Sequence, residues 1–286
     1  MSLHLADVNA EYEKNKRLKK EEVQKFYDWV NEQPHLPKIN ELQAILFLHA
    51  CNYNEDAAKK TIDTFFTVKT MDPGLFKMRN PRNSPINNSL DVMLFTPLPQ
   101  KTPEGYTIVL VKLQDVSPSN YNTEVQLKIF DMMCMLHLQQ YGTSDGYVAI
   151  FDMKGTSFGH LFRTSPLALK RFLYYVQEGI PARLKRLHYM NLVSFMDKIM
   201  ALMKPFMKKE LYDIIYLHNT IDDLTKYVPL ECLPKDYGGS AETVSELHEK
   251  MKKTLFENVD FFNWEDEQSV DESQRPKVKR NWFNWR

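Results

Sequence analysis

The chain has 286 residues, of which 43% are hydrophobic, and its 37 basic side chains balance its 37 acidic ones. This composition supports a sizeable core and argues against wholesale disorder, and the balanced charge disfavours a nucleic-acid-binding protein, which relies on neutralising phosphates. The sequence has no apolar leader and no run approaching the ~18 apolar residues of a membrane span. We therefore expect a soluble, cytoplasmic protein.

Residues 1–78 are expected to form a small all-helical N-terminal domain, because polar and apolar side chains alternate with a helical period. The clearest helix runs from Asn54 to Thr70, with Asn54 as its N-cap and acidic residues in its first turn. Residues 79–104 are rich in Pro and Asn, and we interpret them as a loop-dominated connecting segment.

Residues 105–262 alternate short β-rich runs with longer helical patterns, which is typical of βαβ units. The predicted strands are Tyr106 to Leu113, Tyr147 to Met153, Leu187 to Leu192 and Asp213 to His218. The predicted helices between them are Thr123 to Gln140, Ser165 to Glu178 and Leu192 to Glu210. The sequence thus predicts an α/β fold with a mainly parallel sheet and flanking helices, followed by a charged, aromatic tail at 263–286.

Cysteine and histidine spacing gives no sign of a metal or catalytic site. The three cysteines lack a Cys-x-x-Cys pair, and no two histidines stand at His-x-x-x-His spacing. Neither a Gly-x-Ser-x-Gly elbow nor a Gly-rich phosphate loop is present. We expect buried free thiols, structural histidines at His188 and His218 within strands, no metal, no cofactor and no enzymatic activity.

Five short motifs stand in order over about 95 residues of this α/β region. They are Gly146–Asp152, Ile180–Arg183, Leu187–Asn191, Lys204–Phe206 and Leu233–Gly239. Together they resemble the CRAL-TRIO lipid-binding domain, in particular its tocopherol- and retinaldehyde-binding branches, and the helices before them resemble the N-terminal domain of that family. The resemblance implies a lipid cavity floored by the sheet and covered by a mobile helical lid.

The function implied by this resemblance is to bind a single hydrophobic lipid, such as a tocopherol, retinoid or carotenoid, and to transfer it between membranes. We accordingly expect a monomer that associates with membranes peripherally. An alternative is a lipid-sensing regulatory or scaffold protein, in which the bound lipid controls a protein partner. A third possibility, an enzyme acting on a hydrophobic substrate, has no nucleophile and base pair to support it.

The lid corresponds to residues 192–207, which are strongly amphipathic at helical spacing. Pro205 is expected to end or kink this helix near Lys204. We predict that Met196, Ile199 and Leu202 form the face that touches membranes when the lid opens, because methionine-rich surfaces adapt to both ligand and bilayer.

Ligand-binding positions follow from the resemblance and from strand alternation, which places Tyr147, Ala149 and Phe151 on one face. The full set of candidates is Ile129, Met133, His137, Tyr147, Ala149, Phe151, Tyr175, Val176, Ile180, Leu187, Phe195, Ile199, Met200 and Met203. Ile129 and Met133 stand where tocopherol-carrying members have small hydroxyl side chains. We therefore expect weak discrimination between a free hydroxyl and its methyl ether, unless Tyr147 or His137 supplies a polar partner.

Basic side chains near the lid are candidates for binding a phosphoinositide or another anionic lipid. They are Arg183, Lys185, Lys208 and Lys209. Other basic positions of the tocopherol-carrying members are replaced here by His49, Cys51, Glu210 and Ile214. The sequence therefore favours diffuse attraction to anionic membranes over recognition of one headgroup. The tail joins an acidic stretch, Glu265 to Glu272, expected to be solvated, to a basic aromatic stretch with Trp282, Phe283 and Trp285 that suits a membrane interface.

Overall fold

The structure, a computed structural model, describes residues 5–276 and begins with a helical region. Its helices are α1 (Val8–Lys14), α2 (Lys20–Glu32), α3 (Glu41–Ala50), α4 (Glu55–Met71), α5 (Pro73–Phe76) and α6 (Ser84–Asn87). The Asn54 side chain accepts a hydrogen bond from the Ala57 amide at 2.9 Å, as an N-cap residue does. The predicted helix from Asn54 to Thr70 and the helical N-terminal region are therefore confirmed.

Helix α3 lies at the centre of this region. Its residues 42–49 are all buried, whereas α2 buries only the single stripe formed by Val23, Phe26 and Val30. A helix that is apolar on all sides needs neighbours on all sides, and α3 packs against α2, α4 and α7. It therefore joins the helical region to the rest of the core.

Five strands form one sheet in the order β1-β2-β3-β4-β5. They are β1 (Met93–Lys101), β2 (Thr107–Leu113), β3 (Tyr147–Asp152), β4 (Leu184–Met190) and β5 (Ile215–Leu217). Strand β1 is antiparallel to β2, and all other neighbours are parallel. The predicted mainly parallel α/β sheet is confirmed, although β4 begins three residues before its predicted start at Leu187 and β5 is shorter than predicted.

The segment 79–104 is not only a connection, because it contains β1. Sequence reasoning missed this strand on account of its prolines, Pro97 and Pro99. An edge strand tolerates proline because one of its sides has no partner strand, so the missing amide hydrogen costs no hydrogen bond there. Pro97 pairs with Val109, and the ladder becomes irregular between Pro97 and Lys101.

The remaining helices cover the sheet and complete the chain. They are α7 (Thr123–Tyr141), α8 (Phe158–Arg163), α9 (Pro166–Glu178), α10 (Met196–Met203), α11 (Lys209–Tyr212), α12 (Ile221–Thr225), α13 (Val244–Glu257) and α14 (Val259–Glu267). The helices predicted from Thr123 and from Ser165 are confirmed to within one residue. In the described part of the chain, no helix is both long and apolar enough to cross a membrane.

The helical pattern predicted from Leu192 to Glu210 corresponds to two separate helices, and its first four residues are not part of either. Helix α10 begins only at Met196, a 3-10 turn follows at Lys204–Phe206, and α11 is a separate short helix. The break falls at Pro205, as expected, because proline lacks an amide hydrogen and clashes with the preceding turn.

Buried ion pairs join α7 to α14 and to the end of the helical region. We call Lys69, Arg79, Asp131, Glu265 and Asp266 the ion-pair seam. Arg79 Nη1 lies 2.7 Å from Glu265 Oε2, and Arg79 Nε lies 2.9 Å from Asp266 Oδ1.

The seam corrects part of the expectation that the acidic stretch from Glu265 to Glu272 is solvated: Glu267, Asp271 and Glu272 are exposed as expected, whereas Glu265 and Asp266 are paired within the fold. Glu265 is 7% exposed, because Arg79 and Lys69 replace its hydration. The Arg275 side chain also forms an ion pair, with Nη1 2.7 Å from Asp63 Oδ1. The aromatic residues Trp282, Phe283 and Trp285 lie outside the described residues, so the predicted membrane contact of the tail stays a prediction.

Candidate functional site: an apolar cavity under a helical lid

A cavity of about 320 Å³ lies between the sheet, α7, α9 and α10. Its floor comes from alternate residues of four strands: Met93, Phe95 and Pro97 of β1, Val109, Val111 and Leu113 of β2, Tyr147, Ala149 and Phe151 of β3, and Leu187 and Tyr189 of β4. Val148 and Ile150 point to the opposite face and are completely buried. The near-continuous apolar sequence of β3 thus serves two cores at once, as in parallel sheets covered on both faces.

Helix α7 forms one wall of the cavity through a single stripe. The lining residues on this stripe are Gln126, Leu127, Phe130, Met133, Cys134, His137 and Leu138, which recur at helical spacing. Helix α9 adds Leu169, Phe172, Leu173 and Val176 on a second side. Most of the enclosing surface is therefore hydrocarbon.

Helix α10 covers the cavity with its apolar face turned inward. Ile199, Leu202 and Met203 line the cavity, joined by Met207 beyond the break. The outward face carries Asp197, Lys198, Ala201 and Lys204, all exposed. The amphipathic pattern of the sequence thus corresponds to a lid in its closed position.

Most of the predicted ligand-binding residues meet at this cavity. Those that line it are Met133, His137, Tyr147, Ala149, Phe151, Val176, Ile180, Leu187, Ile199 and Met203. They come from β3, β4, α7, the end of α9 and α10, so the fold brings together positions that are up to 70 residues apart in the sequence, from Met133 to Met203.

Four predicted ligand-binding residues are not among the residues that line the cavity. Ile129 is completely buried in the main core, because it lies about 100° around α7 from its lining neighbour Phe130. Tyr175 points to the ion-pair seam, where its hydroxyl donates to Asp131 Oδ1 at 2.8 Å. Phe195 stacks on Phe158, with ring centroids 4.1 Å apart, and Met200 packs in the small cluster beneath the lid.

The predicted membrane face of the lid is turned away from solvent here. Met196 is 6% exposed and packs with Leu187 and Leu211, while Ile199 and Leu202 line the cavity. Contact of these residues with a membrane would require the lid to open, and it stays a prediction.

The exposed apolar side chains near the lid lie on α8 instead. Phe162 is 85% exposed and Phe158 is 41% exposed, and Lys198 of the lid lies with Nζ 5.0 Å from the Phe158 ring centroid. Sequence reasoning missed these residues, because α8 has only six residues and shows no clear period.

The four basic candidates have separate local partners. Arg183 donates to the His49 carbonyl, and Lys185 lies 5.7 Å from the Tyr106 ring centroid. Lys208 pairs with Glu178, and Lys209 pairs with Asp213. Both lysines are themselves exposed, and their binding to an anionic surface stays a prediction.

Polar side chains at two ends of the cavity interrupt its apolar wall. Tyr147 and His137 meet edge to face, with ring centroids 6.1 Å apart, and Tyr121 and His160 meet similarly at 5.6 Å. Burial lowers the pKa of His137 to about 4, with Lys101 adding to the effect, and burial raises the pKa of Tyr147. Both side chains are therefore neutral at physiological pH.

The sequence predicted that the cavity discriminates weakly between a ligand with a free hydroxyl and its methyl ether, and the polar side chains at its two ends are relevant to that prediction. The buried Tyr147 hydroxyl has no hydrogen-bond partner within the described chain and belongs to a lining residue. The alternative that the sequence left open, a polar partner from Tyr147 or His137, therefore has geometric support. Gln126 and His160 also line the cavity, and no sequence signal singled them out.

Residues 92–239 match the CRAL/TRIO domain family, which is 148 of the 286 residues, and residues 15–86 match the Pinta-like UBA domain family. The human protein named Alpha-tocopherol transfer protein-like is 27% identical over 224 residues, which are 77% of this chain and 65% of that protein. The Xenopus laevis protein Clavesin-1 is 22% identical over 224 residues, 77% of this chain and 68% of that protein. This chain thus spans about two thirds of the length of these relatives.

Among solved structures, the one titled "Crystal structure of Sfh5" aligns with a TM-score of 0.48 at 14% identity, covering 80% of this chain and 92% of that chain. Across the residues that the structure describes, no group of three or more His, Cys, Asp or Glu side chains could hold a metal ion. The family resemblance found in the five sequence motifs is confirmed by the family match, which covers more than half of the sequence. The chain belongs to the CRAL/TRIO domain family.

Proposed function

We propose that this protein binds one hydrophobic small lipid, such as a tocopherol, retinoid or carotenoid, in the cavity and transfers it between membranes. The observation that carries the proposal is the apolar cavity of about 320 Å³ closed by the inward apolar face of α10. Cavities of this size and polarity are typical of small-molecule sites. The lid hides the cargo from water, and its opening would release the cargo to a bilayer.

A carrier fits the chemistry of the cavity better than an enzyme does. Cys134 and His137 both line it, one helical turn apart, which is the spacing at which a nucleophile and a base could meet. Burial raises the pKa of the Cys134 thiol and lowers the pKa of His137 to about 4. The thiol therefore stays protonated, whereas nucleophilic catalysis needs a thiolate.

Membrane contact is supported by the exposed surface of α8. Phe162 and Phe158 present aromatic rings to solvent beside Lys198, and aromatic rings with adjacent basic groups favour the bilayer interface. Phe158 also stacks on Phe195, the residue that precedes α10. Insertion of these rings would therefore act directly on the start of the lid.

The first experiment identifies the cargo. Mass spectrometry of lipid that copurifies with the full chain should find one class of hydrophobic small molecule at close to one per protein. Fluorescent-lipid transfer between vesicles should then proceed faster with the protein than without it. A protein that binds lipid and leaves this rate unchanged would refute the transfer function.

The lid is tested by replacing Met196 and Ile199 with Asp, with Ala201→Asp on the exposed face of the same helix as the matched control. Transfer by the double variant should slow by about tenfold or more, since each buried carboxylate opposes both closure over the cargo and contact with the bilayer. The control should transfer at close to the normal rate. Equal rates for both would contradict the assignment of α10 as the lid.

We further propose that the attraction of the protein to a membrane depends on the surface charge of that membrane. Vesicle binding should rise with the fraction of anionic lipid and fall with salt, since Lys208 and Lys209 act as diffuse charges worth up to about 1 kcal/mol each near the surface. Lys208→Ala with Lys209→Ala should weaken binding to all anionic vesicles alike. A preference for one phosphoinositide at equal surface charge would instead indicate a specific site that includes Arg183 or Lys185.

A second candidate, lipid-sensing regulation of a protein partner, is favoured by the contact between the helical region and the cavity wall. Phe65 of α4 packs against Tyr175 of α9 with ring centroids 5.9 Å apart, and α9 lines the cavity. Lipid loading could therefore change the surface of the helical region. A lipid-dependent protein partner, together with no transfer between vesicles, would favour this candidate.

A further inference from the structure

The first polar end of the cavity holds an unsatisfied hydroxyl. Tyr147 Oη is buried and has no partner within the described chain, although Tyr147 lines the cavity beside His137. A buried polar group without a partner costs on the order of 1–3 kcal/mol. Such an arrangement is explained if a bound molecule supplies the missing hydrogen bond.

The second polar end offers a donor and an acceptor. Gln126 is 2% exposed, its Nε2 donates to the Ser89 carbonyl at 3.1 Å, and its Oε1 has no partner within residues 5–276. His160 is 4% exposed, and its Nδ1 accepts from the Ser157 amide at 3.1 Å. This bond assigns the proton of the neutral ring to Nε2, which is buried and, among the same residues, also unpartnered.

The two ends are far apart along α7. Gln126 and His137 are 11 residues apart on that helix, and a rise of about 1.5 Å per residue separates them by about 16 Å. Between them, the stripe of α7 consists of Leu127, Phe130, Met133 and Cys134. An apolar channel thus connects one hydrogen-bonding end to the other.

The charges around the cavity favour an uncharged cargo. Asp152 is the carboxylate among the lining residues, and it is already engaged by Lys112, Asn191 and the Tyr237 hydroxyl. In the part of the chain that the structure describes, no lysine or arginine lines the cavity. A carboxylate or phosphate headgroup would therefore enter without a counter-ion, at a large desolvation cost.

We propose that the cargo is an elongated, uncharged lipid with a hydrogen-bonding group, such as a hydroxyl or carbonyl, at each end. One end bonds to Tyr147 Oη, and a hydroxyl at the other end donates to Gln126 Oε1 and accepts from His160 Nε2, with the hydrocarbon between the two ends lying against α7. The inference rests on the proposed lipid-binding function and narrows the class of lipid that the cavity takes.

The test compares three probes of equal length on protein stripped of its copurified lipid. The probes are a terminal alkanediol long enough to span the two ends, its monomethyl ether and its dimethyl ether. The monomethyl ether can place its ether oxygen against Tyr147 Oη, which can donate to it, so it should bind about as tightly as the diol. The dimethyl ether leaves Gln126 Oε1 without a donor, so its affinity should be about tenfold lower, which is the ratio that one satisfied hydrogen bond supplies. This outcome also reverses the weak discrimination expected from sequence.

Single substitutions test which side chains bind each end of the probe. Gln126→Met should reduce the preference for the diol over the dimethyl ether by about tenfold, because it removes the acceptor that distinguishes the two probes. Tyr147→Phe should instead lower the affinity for all three probes by about tenfold, because the Tyr147 hydroxyl can donate to an alcohol or an ether oxygen alike. Tyr175→Phe removes a buried hydroxyl outside the cavity and serves as the matched control, which keeps the full preference. If Gln126→Met fails to fold, His160→Gln tests the same end, because glutamine preserves the cap bond as Gln43 does for Asn40.

The outcomes separate this inference from the function on which it rests. If all three probes bind with equal affinity, the two-ended cargo is refuted while the lipid-binding function stands. If the diol preference survives Gln126→Met, or if Tyr147→Phe leaves the affinity for every probe unchanged, the assignment of that end is wrong. If no probe binds and no lipid copurifies, both proposals fall.

Discussion

The two sides of α7 treat buried polar side chains in opposite ways. On the seam side, Asp131 Oδ2 lies 2.9 Å from Lys69 Nζ and 3.4 Å from Arg79 Nη1, and Asp131 Oδ1 accepts from Tyr175 Oη. On the cavity side, Gln126 Oε1 and Tyr147 Oη are buried without partners among the described residues. Lys69 Nζ on the seam side also has no hydrogen-bond partner among the described residues, but its charge is balanced by Asp131 and Glu265. Since leaving a buried polar group uncompensated is costly, the contrast indicates that the seam stabilises the free protein and that the unpaired oxygens at the cavity suit a ligand.

The largest effect expected from this comparison comes from removing a carboxylate of the ion-pair seam. Asp131→Ala should lower the free energy of unfolding by about 3–5 kcal/mol, because it leaves Lys69 and Arg79 buried with too few carboxylates. Denaturant unfolding measures the change. Lys25→Ala, which removes an exposed pair with Glu55, is the control and should cost about 0–1 kcal/mol. A cost for Asp131→Ala within the range of the control would show that the seam does not stabilise the fold.

A smaller change on the same side removes only one hydrogen bond. Tyr175→Phe should cost about 1.5–3 kcal/mol, the range for a bond to a charged group, since Asp131 Oδ1 loses a donor. Lipid binding should stay unchanged, because Tyr175 is not a lining residue of the cavity. A loss of lipid affinity without a loss of stability would mean that Tyr175 contacts the ligand, and the seam side and the cavity side of α7 would then not be distinct.

The sequence was sufficient to predict which elements meet but not which atoms are paired. Alternation in Tyr147 to Phe151 and the amphipathic period of α10 indicated which faces are apolar, because burial on one face leaves a mark on composition. The resemblance to the CRAL-TRIO domain then identified those faces as the floor and the lid. The two sides of α7 look alike in sequence, since both are buried and apolar overall. Whether Tyr175 or Tyr147 finds a partner depends on side chains far away in the chain, and no local pattern records it.

Two prolines and two long-range ion pairs account for errors in the predicted fold. Pro97 and Pro99 concealed β1, since proline usually indicates a loop and only the edge position accommodates it. Glu265 and Asp266 resembled a solvated run, because the residue that buries them, Arg79, lies 186 and 187 residues away. Long-range pairing of this kind is set by tertiary packing alone.

Acidic pH is expected to destabilise the cavity side of α7. Burial, with a further contribution from Lys101, lowers the pKa of His137 from its ordinary value near 6.5 to about 4. The unfolded chain therefore binds this proton first, so the stability contributed by neutral His137 is complete above about pH 6.5 and is lost as the pH falls towards 4.

His137→Gln removes that titration. Between about pH 7 and pH 5, the unfolding free energy of the unmodified protein should fall by about 1–2 kcal/mol more than that of the variant. Tyr175→Phe, which leaves His137 intact, should show the same pH dependence as the unmodified protein. Parallel curves for His137→Gln and the unmodified protein would mean that His137 is solvated rather than enclosed at the end of the cavity.

The smallest expected effect is the most direct test of the contrast between the two sides. Tyr147→Phe makes the same chemical change as Tyr175→Phe, loss of one buried hydroxyl, but Tyr147 Oη has no partner to lose among residues 5–276. In protein stripped of lipid, its unfolding free energy should stay within about 0.5 kcal/mol of the original or rise by up to about 1 kcal/mol, because an unsatisfied polar group is removed. With the terminal diol bound, the order should reverse, since the original protein then gains a hydrogen bond that the phenylalanine ring of the variant cannot make. A loss above about 1.5 kcal/mol without ligand would mean that the Tyr147 hydroxyl already has a partner in the folded chain, and the cavity side of α7 would then be built for stability as the seam is.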